Sequence, residues 1–166
     1  MTKRVRQYIS LLSAILAYYI IHEGAHLLYA LLTDTFKQIN LMGLGVQIDV
    51  YTERMTNLQL GIFCLTGPIA TLVTTTILLL LTDKICKSSS KIFKTCMYYV
   101  TLAMLLIDPL YLSVLCGFFG GGDMNGISLL VPEPIARVGY GIILIFNAIL
   151  FKKIILPKYS LAFKTE

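Results

Sequence analysis

Residues 22–26 read His-Glu-Gly-Ala-His and hold the only two histidines of the chain. Positions four apart in a helix share a face, so His22 and His26 would present two imidazoles one turn apart, as chelation of one ion requires. Glu23 would stand about a third of a turn round, near enough to reach a water on the ion without ligating it. This is the HExxH arrangement, two zinc ligands and a general base. The ion lowers the pKa of its water toward about 7, and the carboxylate can then take the proton. The surroundings sharpen the reading. The motif lies within "LLSAILAYYIIHEGAHLLYALL", a run otherwise apolar enough to cross a bilayer. A charged, unpaired group at the centre of such a helix costs roughly 2.5 kcal/mol or more, so three ionisable groups in one turn favour a metal site over chance.

A catalytic zinc commonly has three protein ligands and one open position. No third histidine exists, and Cys64, Cys86, Cys96 and Cys116 form no CxxC pair, so the third ligand should be a carboxylate. Two candidates sit in or at the end of an apolar run away from the basic flanks: Asp108 in "LLIDPLYL" and Asp123 in "FFGGGDMNGI". Counted from Tyr8, His22 and His26 lie 14 and 18 residues into their span, whereas Asp108 and Asp123 lie 13 and 28 residues beyond Thr95. Depth alone slightly favours Asp108, although Gly120, Gly121 and Gly122 could turn the chain back inward and return Asp123 to the same level. Tyr19 and Tyr29 continue the histidine stripe and read as packing residues with hydroxyls bonded to a neighbouring helix. Gly24, Ala25 and Ala30 would let another helix approach closely.

The elements that must hold these groups are membrane spans. Of 166 residues, 57% are hydrophobic and 14% charged, far from a soluble domain. Four runs approach the ~20 residues a hydrocarbon core requires: about 8–32, 58–81, 95–119 and 135–150. The first is read as a retained helix rather than a cleaved signal, because it is long and has no small-x-small cleavage site. Gly67-Pro68 should weaken the second span by removing one ladder bond. The net charge of +5 does not mark a nucleic-acid binder, since the basic residues flank the spans instead of lining one helix face. Eleven of the fourteen lie in the N-terminal arm, the loop after span two and the C-terminal tail, which places both termini in the cytoplasm. In the first outer loop Val46, Ile48 and Val50 alternate with Gln47, Asp49 and Tyr51, the period of a strand. Gly43 and Gly45 could turn it into a hairpin with Gln38 to Met42. The expected fold is an all-α polytopic membrane protein of about four transmembrane helices with a small β-hairpin in the first loop. Residues 1–166 form one unit.

Three stretches together, "HEGAH", "TGPIA" (Thr66 to Ala70) and Asp108-Pro109 with "GGGDMNG" (Gly120 to Gly126), resemble the site-2-protease-like intramembrane metalloproteases of the M50 class. The matches are few but touch three of the four spans. The resemblance implies a zinc ion held by His22, His26 and Asp123, the aspartate closely followed by a glycine. It implies Glu23 as the base. Asp108-Pro109 resembles the family's Asn-Pro element, whose polar side chain assists the substrate carbonyl, with Asp in place of Asn. An ionised aspartate cannot donate a hydrogen bond to an oxyanion, whereas a protonated one can. The expected function is zinc-dependent cleavage, within the lipid bilayer of a bacterial cell membrane, of a membrane protein or membrane-adjacent peptide. The hairpin would hold an unwound substrate segment as an added strand. The alternative is a non-proteolytic metal-binding membrane protein, a carrier or inactive scaffold. Glu23 argues against it, because a pure binding site needs no base.

Overall fold

A computed structural model describes residues 2–42 and 45–164. Each long helix starts where its capping chemistry does. Thr2 caps α1 (Lys3–Leu32), its hydroxyl accepting the Val5 N–H. Thr56 and Gln59 form a reciprocal capping box on α2 (Asn57–Cys86). Ser90 caps α3 (Lys91–Ser113) by accepting the Phe93 N–H. Such caps satisfy amide groups that have no partner within the helix.

Among the described residues, four helical segments are long and apolar enough to cross a membrane: α1, α2, α3 and the run Glu133–Lys164. The protein is therefore an all-α polytopic membrane protein. Its outer faces carry exposed Leu12, Ile20, Leu80, Ile142 and Ile145, the surface a bilayer covers in place of a packed core. α3 is central and packs against α1, α2 and α5 (Glu133–Leu150).

The expected span limits shift for identifiable reasons. α1 begins at Lys3 rather than near Tyr8, and α2 continues past Leu81 to Cys86. Charged residues at helix ends extend beyond the apolar core without breaking the helix. α3 starts earlier and stops at Ser113, six residues short of the expected Phe119. A short 3₁₀ turn at Leu115–Gly117 follows, and then Gly120, Gly121 and Gly122 with φ of +88°, +82° and +44°. Three successive positive φ values reverse the chain at little steric cost only because no Cβ is present. The reversal leads into the short helix α4 (Asp123–Ile127), with Asp123 as its first residue. The fourth span does not end at Leu150. It passes through a π turn at Phe151–Ile155 into α6 (Leu156–Lys164). Pro157 has no N–H for the helical ladder, and the wider turn lies immediately before it. Lys152, Lys153, Lys158 and Lys164 thus belong to helix rather than to a loose tail.

Two prolines interrupt helix ladders inside the bundle. Pro109 leaves the Leu105 carbonyl without its helical donor, and the buried Asn147 of α5 supplies one at 2.8 Å. Pro68 does the same in α2, four residues after Cys64.

After α1 the chain turns at Asp34, with φ of 54°. It then forms an antiparallel hairpin of β1 (Phe36–Met42) and β2 (Gly45–Val50), with Ile39 opposite Ile48. β1 begins two residues before the expected Gln38, and the expected turn residue Gly43 lies outside the described residues. The alternation is realised as burial. Ile48 and Val50 enter a cluster with Ala30, Phe63 and Leu112, while Gln47 is exposed. The hairpin is thereby fixed onto the end of the bundle that carries the histidines.

Candidate metal centre

The α-helical spacing of α1 places His22 and His26 on one buried face, with side chains 8% and 4% exposed. Their Nε2 atoms are 3.2 Å apart. The glycine reversal after α3 returns Asp123 to the same level, where one carboxylate oxygen is 3.1 Å from His22 Nε2 and the other 3.5 Å from His26 Nε2. These three residues are the set that could hold a metal ion among the described residues. The spacing fits such an ion. Donors bound at about 2.0–2.1 Å around a tetrahedral centre lie about 3.3 Å from one another, within the observed spread of 3.1 to 3.5 Å. Two imidazoles and one carboxylate form a donor set suited to zinc.

The remaining nitrogens are committed elsewhere, which directs each ring. His26 Nδ1 donates to the Phe63 carbonyl at 2.8 Å. A carbonyl only accepts, so the proton sits on Nδ1 and the Nε2 lone pair points to the cluster. Thr66 also donates to the Phe63 carbonyl, so its own oxygen is available to the Nδ1–H, 3.2 Å away. His22 Nδ1 donates to the Asp108 carboxylate at 3.2 Å. Two further donors, the Tyr18 and Thr71 hydroxyls, converge on the same carboxylate. Asp108, 2% exposed, therefore lies behind His22. It touches the nitrogen that faces away from the cluster and lies outside the ligand set. Carboxylate–imidazole pairs of this kind fix ring orientation and raise ligand basicity at metal sites.

Glu23 stands beside the converging donors and outside their set. Its carboxylate accepts the backbone N–H of Ile48 at 3.3 Å, so β2 is tied directly to the residue expected as base. The α2 backbone closes the other side. A Cβ on Gly67 would lie 2.5 Å from His26 Nε2 and 2.7 Å from His22 Nε2. Glycine is thus required there because helix backbone passes directly against the imidazole pair.

Of the expected site residues, the structure brings His22, His26 and Asp123 together and places Glu23 alongside. Asp108 bonds His22 on its far nitrogen and is not part of the converging set. The tyrosine that reaches the site is Tyr18, not Tyr19 or Tyr29. The Tyr19 ring packs edge-on against Tyr18, and that of Tyr29 lies 6.3 Å from Phe63. Tyr18 was legible, since it precedes His22 by four residues on the same face. Gly24 meets no neighbouring helix, because a Cβ there would contact nothing within 4 Å. The close approach is made instead from α2, at Gly67. Thr71 and the Phe63 carbonyl carry no sequence signal, because a helix apolar on all sides does not declare which face points inward. All four cysteines are free thiols, with Cys64 and Cys116 buried. No family model, curated protein or solved structure matches the chain, so the reading of the centre rests on its own residues.

Proposed function

We propose that the chain is a zinc-dependent endopeptidase acting on peptide segments in or next to the bilayer. The supporting observation is the convergence of His22, His26 and Asp123 within bonding range of a single ion, with Glu23 adjacent and held by a strand. A zinc ion there would supply Lewis acidity, which acidifies water and polarises a carbonyl. The chain's own residues supply the rest. Glu23 accepts the proton of the attacking water as its oxygen adds to the peptide carbon. The same proton passes to the departing amine when the C–N bond breaks. Ile48, hydrogen-bonded to Glu23, fixes where that carboxylate stands. Asp108 keeps the His22 ring aimed at the ligand position.

A substrate helix hides its carbonyls in its own ladder and must unwind to be cut. An unwound segment laid along the hairpin would regain backbone partners and pass close to Glu23. The eleven basic residues at one end of the spans support a topology with both termini in the cytoplasm and the hairpin outside, in what we take to be a bacterial cell membrane.

Cleavage of membrane-spanning peptides, followed by mass spectrometry, tests the proposal. Glu23→Gln should retain its metal and lose cleavage. Undiminished cleavage by Glu23→Gln would remove the general base from the account and the peptidase with it.

A further inference from the structure

Far from the metal centre, α1, α3 and α6 line a half-open cavity of about 490 Å³. Arg6 lies sixteen residues before His22 on the same helix, about 24 Å away along its axis. Lys3 and Arg6 of α1 and Lys91 of α3 line the cavity, and α6 contributes Tyr159 and Ser160. No acidic side chain lines it among the described residues. One polar atom of a lining residue, Arg6 Nε, is buried without a hydrogen-bond partner. Buried donors are rarely left unmade without a reason. A second hollow of about 390 Å³, lined by Arg4, Tyr8 and Leu11, adjoins the first and shares Gln7 and Tyr99 with it. A basic chamber therefore adjoins a mixed hollow in which Arg4 stands beside Leu11 and two tyrosine rings.

We propose that this chamber binds a phosphate-bearing anion, supplied by a phospholipid headgroup or by free phosphate. The guanidinium of Arg6 matches phosphate oxygens in a way a point charge does not. Lys3 at the same interface adds attraction of about fivefold in affinity, and basic pockets between membrane helices on the cytoplasmic face suit anionic headgroups. The adjoining hollow offers Leu11 and the Tyr8 ring to an acyl chain, beside the further positive charge of Arg4. The occupant would sit where α6 folds back over the start of α3, a junction already joined by Lys94 donating to the Ala162 carbonyl.

Native mass spectrometry of the full chain, released from nanodiscs of phosphatidylcholine with or without phosphatidylglycerol, tests the site. A separate arm adds inorganic phosphate to lipid-stripped protein and follows thermal unfolding. The wild type should retain one phosphatidylglycerol in preference to phosphatidylcholine. The double variant Lys3→Gln, Arg6→Gln should lose that retention about thirtyfold. Lys152→Gln with Lys153→Gln removes two charges that do not line the cavity and should change it less than twofold. Stabilisation by millimolar phosphate that depends on Lys3 and Arg6, without lipid selection, would identify free phosphate as the source. Equal losses in the two double variants would reduce the effect to surface attraction and overturn the site. So would indifference to both phosphatidylglycerol and phosphate. Metal content of each variant, measured in parallel, reports whether it remains folded.

Discussion

Removing the Asp108 carboxylate separates a positioning role from a ligand role. The side chain accepts from His22 Nδ1, Tyr18 and Thr71 and contacts neither Nε2 atom of the cluster. Loss of a carboxylate behind a ligating imidazole lowers metal affinity by about 10–100-fold, or about 1.4–2.7 kcal/mol. Asp108→Asn keeps the volume and one acceptor oxygen, so it should fall near the tenfold end. Asp108→Ala also strands the Tyr18 hydroxyl in a buried site, at roughly 1–3 kcal/mol of stability, whereas Thr71 still has the Pro68 carbonyl as acceptor. It should weaken zinc near the hundredfold end and lower the melting temperature as well. Asp123→Ala removes a ligand outright and should bind far more weakly than either, while leaving the Tyr18–Asp108–Thr71 group intact. The assay is a zinc titration of metal-stripped protein against a chelating indicator, with thermal unfolding alongside. If Asp108→Ala binds zinc as tightly as the wild type, Asp108 does not position His22. If it binds as weakly as Asp123→Ala, the carboxylate ligates, and the assignment from geometry fails.

Two further outcomes follow from the packing and the charge pattern. Gly67→Ala would drive a methyl group to within 2.5–2.7 Å of both Nε2 atoms, so it should abolish metal binding while the helical circular dichroism stays intact; retained stoichiometric metal would show that α2 does not pass where described. For orientation, Thr2→Cys and Gln38→Cys, in a background with Cys86 and Cys96 changed to serine, should react oppositely with an impermeant thiol reagent applied to intact cells. Gln38→Cys should label and Thr2→Cys should not, and the reverse pattern would invert the topology.

The sequence carries the local parts of this fold and much less of its assembly. HEGAH declared its face because helical periodicity fixes the relation of His22, Glu23 and His26 before any tertiary contact forms. The hairpin was legible because Val46, Ile48 and Val50 alternate with polar neighbours, and burial of Ile48 and Val50 follows that period. Depth counting along a straight third span pointed to Asp108, yet α3 stops at Ser113 and three glycines carry Asp123 back to the histidines. That reversal is a matter of backbone conformation, which residue counting does not register. Tyr18 could have been found by reading the stripe one turn upward from His22. Thr71 and the Phe63 carbonyl could not. Their roles depend on how α2 is rotated about its own axis, and a helix apolar all round leaves that angle to tertiary packing.

The central claim is that His22, His26 and Asp123 grip one ion, and the metal content of the purified, detergent-extracted protein tests it most directly. Elemental analysis near neutral pH should give about one zinc per chain in the wild type and in Glu23→Gln, and almost none in His22→Ala, His26→Ala or Asp123→Ala. A wild-type protein that carries no divalent metal and takes none up on dialysis against zinc would contradict the account at its base.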